Sequence, residues 1–232
     1  MRETVTIEQA LEAFVEDQRQ RLSARTMRSY DDVVELLRHS LNGYGSNALD
    51  RGEHRRWEKA FDSGDEDAFC HLFGPERILE HLPEFLGYFM IRKVIAGQEL
   101  LRSAGTVTKR LAEWLYQQGY VSDEERGEAV ERGTRSTRDL PRAQRLATLL
   151  YEQSRAAPPF DPDMLGPDDL IEDYLVIERV EPGKLYFSGG VGPLTVSAQA
   201  CELAEVGWGV AATLARLAKI WWVVEVGNVY PR

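Results

Sequence analysis

The segment Ala156-Ala157-Pro158-Pro159-Phe160-Asp161-Pro162-Asp163 divides the sequence into two parts of different character. Proline has a fixed φ and no backbone N–H, so this stretch suits neither a helix interior nor a central strand. We therefore predict a linker over residues 156–168, between a domain of residues 1–155 and a domain of residues 169–232. Two domains also fit a chain of 232 residues, because single domains usually hold about 100–150 residues.

Residues 1–155 have the spacing of amphipathic helices. Apolar residues recur at intervals of three and four from Ile7 onward, which is the pattern of one apolar helical face. Thr6 with Gln9 has the spacing of a capping box, and Ser23 can cap a second helix. No part of this stretch has a convincing strand pattern, so we predict an all-α, multi-helix domain.

The later helices of this domain are placed by prolines and by a second capping box. Pro75 and Pro83 both suit the first turn of a helix, where a missing N–H costs nothing. Ser122 with Glu125 predicts the start of a short polar helix. We expect a separate last helix over residues 136–155.

The residues after the linker have the composition of short strands. Segments rich in β-branched and aromatic residues alternate with turn sequences such as Glu181-Pro182-Gly183 and Ser188 to Pro193. So many strands in about 65 residues favour a small β-barrel-like domain of the SH3 or OB type, because closure covers the sheet edges. A buried helix over residues 208–224 is the alternative for one of these segments. The fold class is therefore α+β.

The charge balance argues against strong non-specific binding of nucleic acid. The formal net charge is −10, with 22 Lys/Arg and 26 Asp/Glu in residues 1–150 and 6 and 12 in the remainder. Proteins that hold nucleic acid through released counterions usually carry a basic surplus. A local basic face remains compatible with this total.

The sequence contains no recognisable catalytic or metal-binding pattern. Cys70 and Cys201 are far apart and have no second thiol at metal-ligand spacing, so we expect reduced, structural thiols in a cytoplasmic protein. The glycines between Ser188 and Pro193 lack the Gly-Lys-Ser/Thr of a phosphate loop and predict a turn. We predict no cofactor, no metal, and no membrane span, because Arg216 and Lys219 interrupt the most apolar stretch.

Two segments carry a resemblance to a known family. The stretch from Thr6 to Leu41 has an apolar helix, then a turn with Ser23, Thr26 and Tyr30 at the spacing Ser-x-x-Thr-x-x-x-Tyr. It resembles the opening of the core-binding, SAM-like N-terminal domain of tyrosine recombinases and phage integrases. The stretch from Thr106 to Val121 resembles the helix near the end of the same domain. Together the two stretches cover about 50 residues, in the order that the family has them.

The sequence lacks the catalytic residues of that family. Recombination needs a His-x-x-Arg set around the scissile phosphate and a Tyr nucleophile. The third positions after the four histidines are Asn42, Trp57, Gly74 and Glu84, so the motif is absent. We therefore expect a prokaryotic-type protein that is not an enzyme.

The resemblance implies a helical clasp on duplex DNA. The residues it implicates are Arg19, Arg21, Arg25, Thr26, Arg28, Lys109 and Arg110. A further run of arginines lies at residues 135, 138, 142 and 145. The alternative for each group is a solvated face balanced by neighbouring acids.

The adjacent residues Trp221 and Trp222 are the predicted contact with a protein partner, or with a single-stranded base. The alternative is that a loop or the helical domain covers the outward ring. On a strand their side chains point to opposite faces, so we expect one in the core and one exposed in part. The sequence thus supports two hypotheses. One is a DNA-associated accessory or regulatory protein, and the other is a protein–protein adaptor that binds no nucleic acid.

Overall fold

A computed structural model describes residues 5–231. Its multi-helix region is followed by a closed five-stranded β-barrel, so the predicted fold class is confirmed. Contacts divide the chain into two compact units, Met1–Thr137 and Arg138–Arg232, which we call the helical unit and the barrel unit. The predicted domain limits at residues 155 and 169 stay a prediction.

The first helices begin where their capping residues stand. Thr6 and Gln9 form the expected capping box before α1, and the Ser23 hydroxyl accepts a hydrogen bond from the Thr26 amide at the start of α2. The buried residues of both helices follow the apolar spacing of the sequence. The α-helices are α1 (Ile7–Arg19), α2 (Ala24–Tyr44), α3 (Arg51–Asp62), α4 (Ala68–Leu72), α5 (Glu76–Glu84), α6 (Met90–Arg92), α7 (Gln98–Gln117) and α8 (Asp123–Ser154).

Two glycines let α7 and α8 approach closely within the helical unit. A Cβ on Gly105 would lie 2.4 Å from the Thr137 amide nitrogen and 2.5 Å from the Gly133 carbonyl oxygen. A Cβ on Gly133 would lie 2.8 Å from the Gly105 carbonyl oxygen. All three distances are far below van der Waals contact, so each helix presents bare backbone to the other at this crossing.

Two of the predicted helix boundaries are wrong. Pro83 lies inside α5, just before a π-helical turn over Phe85–Phe89, and is not in a first turn. Such a turn absorbs an irregularity in the helical hydrogen bonding. The two helices expected after Ser122 are one helix, α8, which begins with the predicted Ser122 and Glu125 capping contacts.

The barrel unit contains the strands that the sequence indicates. The alternative of a buried helix over residues 208–224 is wrong, because this stretch forms two strands joined at Ala218 and Lys219, both with positive φ. The strands are β1 (Leu170–Glu181), β2 (Lys184–Phe187), β3 (Val191–Thr195), β4 (Gly209–Leu217) and β5 (Ile220–Tyr230), with helix α9 (Ala198–Leu203) before β4.

The strand order around the closed barrel is β1-β2-β3-β5-β4. β1 pairs with β4 through Leu170–Val176 and with β2 through its second half, and a bulge near residue 178 separates the two parts. The β3–β5 pairing is parallel and the others are antiparallel. The barrel is therefore closed and mixed, and its assignment to the SH3 or OB type stays a prediction.

The last part of α8 completes the core of the barrel unit. Ala143, Leu146 and Leu150 are buried in the same cluster as the inward residues of the strands. Arg142 bonds the Glu205 carboxylate and the carbonyl oxygens of Glu202 and Leu203, and its guanidinium carbon lies 5.5 Å from the Trp208 ring centroid. The end of α9 is therefore capped by a side chain of α8.

None of the helices within residues 5–231 has the length and apolar character that a bilayer crossing requires.

Candidate nucleic-acid interface

The beginning of α2 presents two of the predicted DNA-contacting residues to solvent. The Thr26 hydroxyl lies 3.0 Å from the Ser23 hydroxyl, within the cap of the helix. The Arg25 side chain is 82% exposed and makes one long ion pair, 3.6 Å, with Glu99 of α7. The cap thus fixes the backbone from which Arg25 extends, while the guanidinium group remains open to solvent.

A groove lies between the first turns of α2 and the first half of α7. It has a volume of about 240 Å³. The second helix contributes Arg102, which is exposed and makes no ion pair among residues 5–231. The lining residues are Arg25, Thr26, Ser29, Tyr30, Glu99, Arg102, Ser103, Thr106 and Val107.

The lining of this groove suits an anionic group. Its lining residues supply two guanidinium groups, one carboxylate and four aliphatic hydroxyl groups. Tyr30 is buried, and burial raises the pKa of its hydroxyl against the opposing effect of nearby Arg110. The phenol therefore stays neutral and can donate a hydrogen bond. Arginine, serine, threonine and tyrosine side chains are the usual contacts to phosphate oxygens of nucleic acid.

Acidic residues neutralise several of the other predicted DNA contacts. Arg19 lies 3.3 Å from Asp31, Arg21 lies 2.9 Å from Asp17, and Arg110 pairs with Glu113 at 3.0 Å. Exposed pairs of this kind contribute about 0–1 kcal/mol to stability, so they can open, yet each places a carboxylate beside the cation.

The remaining predicted residues have different surroundings. Arg28 is exposed and has no ion pair among residues 5–231. The Lys109 side chain is partly buried and its Cγ lies at the crossing of α7 with Gly133. The structure therefore brings Arg25 and Thr26 together with Arg102, and DNA contact by any of them stays a prediction.

Sequence reasoning missed the contribution of α7 to the groove. Glu99, Arg102, Ser103 and Thr106 are spaced by three, one and three residues, which places them on one face of a helix. That polar stripe could have been recognised from the sequence. Its position opposite Arg25 could not, because it depends on how α7 packs against α2.

The arginine run at residues 135–145 has mostly structural partners. Arg138 binds Asp139, which is buried, at 2.6 and 3.0 Å. Arg142 caps α9, as described above, and Arg135 pairs with Glu131 at 3.4 Å. This run does not form one free basic face.

The two adjacent tryptophans occupy opposite faces of β5, as their positions predict. Trp221 is 7% exposed and belongs to the barrel core, with Arg216 5.4 Å from its ring centroid. Trp222 is half-buried beside Ala215 on the outer face. Of the two tryptophans, Trp222 is therefore the one that a partner could contact, and that role stays a prediction.

Two groups capable of other chemistry, the Cys70 thiol and the His81 imidazole, are buried. Burial raises the pKa of the Cys70 thiol to about 12, so it remains protonated. His81 Nε2 lies 2.9 Å from the Ser40 hydroxyl inside the helical unit, and burial lowers the pKa of His81 to about 4. Within residues 5–231, no group of three or more His, Cys, Asp or Glu side chains is arranged to hold a metal ion.

No protein-family model, curated protein or solved structure matches this chain. The molecule is thus defined by its architecture, a multi-helix region followed by a closed five-stranded mixed barrel.

Proposed function

We propose that the protein is a non-catalytic, DNA-associated accessory or regulatory protein whose helical unit contacts the backbone of duplex DNA. The observation that carries this proposal is the groove of Arg25 and Arg102, whose lining combines two guanidinium groups from different helices with four hydroxyl groups. The resemblance to the integrase core-binding domain points to the same first turn of α2. The partial positive charge at the beginning of a 21-residue helix favours a phosphate there.

The overall charge limits the affinity that this surface provides. With a net charge of −10, the chain repels DNA outside the groove, so few phosphates are neutralised. With two phosphate contacts, the logarithm of the binding constant falls with the logarithm of the salt concentration with a slope of about −2. Affinity for DNA is then lost roughly tenfold between about 50 and 200 mM salt. A DNA-clasping protein with a basic surface loses far more over that range.

The test is the binding of a fluorescent DNA duplex to the full chain at about 50 mM salt. We expect Arg25→Ala with Arg102→Ala to weaken binding about tenfold or more, because both phosphate contacts are lost. The matched control is Arg19→Ala with Arg21→Ala, which removes the same charge from residues already paired with acids. Equal losses in both variants, or no measurable binding by the unchanged chain, would contradict the proposal.

A second candidate function is a protein–protein adaptor that binds no nucleic acid. The barrel unit favours it, because the loops by which OB-type barrels commonly hold oligonucleotides are tight turns here, at Glu181-Pro182-Gly183 and Ala218-Lys219. This candidate predicts that charge reversal of Arg25 and Arg28 leaves partner binding unchanged, whereas Trp222→Ala weakens it. A co-precipitation that survives Trp222→Ala unchanged would count against it.

A further inference from the structure

Helix α3 carries three aromatic side chains in a row along its surface. His54, Trp57 and Phe61 are spaced by three and four residues, so they lie on one helical face. The ring centroids of Trp57 and His54 are 5.3 Å apart, and so are those of Trp57 and Phe61. Of the residues that the structure describes in this helix, none is buried, and Phe61 is 46% exposed. We call the three rings the aromatic stripe.

Four charged residues follow the aromatic stripe along one edge. The first half of the helix contributes Arg51 and Arg55 to this edge, and the second half contributes Glu58 and Asp62. All four side chains are exposed, and none of them forms an ion pair among residues 5–231. Arg55 attracts the capping carboxylate of Asp50, but from beyond ion-pair distance. The charges available along this edge therefore run from positive to negative.

The charged residues at the other edge of the stripe are engaged within the helical unit. Glu53 bonds the Arg77 guanidinium group at 2.5 Å. Arg56 bonds the carbonyl oxygen of Leu72 and lies 5.9 Å from the Phe73 ring centroid. Charge recognition by a partner of α3 therefore depends on the first edge.

The order of these charges is complementary to the same helix running in the opposite direction. When two identical helices pack antiparallel about a two-fold axis, each edge of one helix meets the same edge of the other. With the axis near Trp57, Arg51 lies opposite Asp62 of the second copy. In the same register Arg55 lies opposite Glu58 of the second copy. Each of these pairings occurs twice in the dimer, so four ion pairs of opposite sign can form along this edge.

We propose that the aromatic stripe is a dimer interface, at which α3 packs antiparallel on α3 of a second copy of the chain. The register that pairs the charges also sets the two Trp57 rings side by side and places His54 against Phe61 of the second copy. Aromatic rings attract each other beyond the apolar area that they bury. Nucleic acid fits this surface less well, because Glu58 and Asp62 repel phosphate. This inference does not depend on the groove of the helical unit.

The small size of this face sets the strength of the association. A helix of 12 residues is about 18 Å long, and such a face is smaller than the roughly 800 Å² that each partner buries in a stable complex. We therefore expect a dissociation constant of about 0.1–1 mM. The chain should be monomeric when dilute and increasingly dimeric when concentrated.

The test is sedimentation equilibrium of the full chain between about 0.01 and 1 mM protein, at about 150 mM salt. We expect Arg55→Glu and Glu58→Arg each to weaken self-association about tenfold, because each variant sets like charges opposite each other twice per dimer. An equimolar mixture of the two variants should associate about as strongly as the unchanged chain. In that mixed dimer, positions 55 and 58 are both acidic in one chain and both basic in the other. Trp57→Ala should also weaken association about tenfold, because it removes the central pair of rings.

The matched control reverses one charge on the far side of the same helix. Lys59 is exposed and lies about half a turn away from the aromatic stripe. Lys59→Glu changes the net charge as Arg55→Glu does, and it should leave the dissociation constant within about twofold. The proposal is overturned if both variants weaken association equally, because net charge alone then controls it.

Two further results would overturn the proposal. One is a mixture of Arg55→Glu and Glu58→Arg chains that associates no better than either variant alone, or a dimer that survives Trp57→Ala unchanged, since two copies then meet through another surface. The other is an unchanged chain that stays monomeric at about 1 mM, since the stripe is then left to a partner of another kind.

Discussion

The helical unit and the barrel unit fill their interiors in different ways. The helical unit buries polar groups, with Ser40, His81 and Thr108 inside, and brings two backbones together at Gly105 and Gly133. In the barrel unit Asp139 is buried beside Arg138, but the buried cluster itself is made of apolar side chains from the strands, α9 and the last part of α8. The stability of the first unit therefore depends on hydrogen bonds, close approach and pH. That of the second depends mainly on apolar volume.

The largest effect should come from removing apolar volume in the barrel unit. Leu146 is fully buried in the cluster that joins α8 to the strands, so Leu146→Ala should lower the free energy of unfolding by about 4 kcal/mol. Hydrogen exchange measured by mass spectrometry should show the loss of protection in β1 to β5. Leu149→Ala, at a partly buried position on the same helix, should cost only about 1–2 kcal/mol. Equal losses of unfolding free energy in the two variants, or a loss of protection confined to α1–α5, would contradict this difference between the two units.

A smaller loss should follow from adding one methyl group to the helical unit. Gly105→Ala places a Cβ within 2.5 Å of backbone atoms of α8, so the helices must separate, at about 3 kcal/mol. Urea unfolding followed by circular dichroism measures this change. The control is Gly127→Ala on α8, where a Cβ meets nothing within 4 Å. Since alanine favours a helix over glycine, that variant should gain about 0.5–1 kcal/mol. A Gly105→Ala protein that unfolds at the same urea concentration as the unchanged chain would refute the close approach of α7 to α8 at this residue.

The smallest of the three effects depends on pH and should appear in the helical unit alone. Burial holds the pKa of His81 at about 4, below its value of about 6.5 in an unfolded chain. Between these values the unfolded state binds more protons, so stability falls as the pH falls from about 6.5 to about 4. From about pH 7 to pH 5 the loss attributable to this group is about 2 kcal/mol.

Unfolding of His81→Gln over the same pH range measures this contribution. The variant should have a flatter pH dependence, although its stability at neutral pH is reduced by the altered contact with Ser40. His54→Gln, which changes an exposed histidine of α3, should keep the original slope. If the unfolding free energy of His81→Gln changes with pH as steeply as that of the unchanged chain, another group causes the pH dependence.

The sequence was sufficient for the elements that local chemistry determines. Thr6, Ser23 and Ser122 each cap a helix at the predicted position. Gly189 and Gly190 form the predicted turn between β2 and β3, where both have positive φ. These outcomes depend on neighbours within a few residues.

The features that sequence analysis got wrong or missed depend on distant contacts. A separate last helix was predicted to begin at residue 136, yet α8 continues through this position, and the missing side chain of Gly133 admits α7 just before it. The stretch from Trp208 was predicted correctly as strands, but its good helix formers left a helix as the alternative, and only pairing with β1 and β5 decides between them. In the candidate site, Arg25 was predicted, whereas Arg102 joined it only through the packing of α7 against α2.

The cap that Arg142 provides for α9 has a consequence for the order of folding. A helix of six residues is too short to persist in an isolated chain. Its last carbonyl groups find their partner about 60 residues earlier in the sequence, so that contact forms only after a long loop has closed. Such non-local topologies fold slowly, in about milliseconds to seconds. We therefore expect α9 to acquire hydrogen-exchange protection in the same kinetic step as the barrel and never ahead of it.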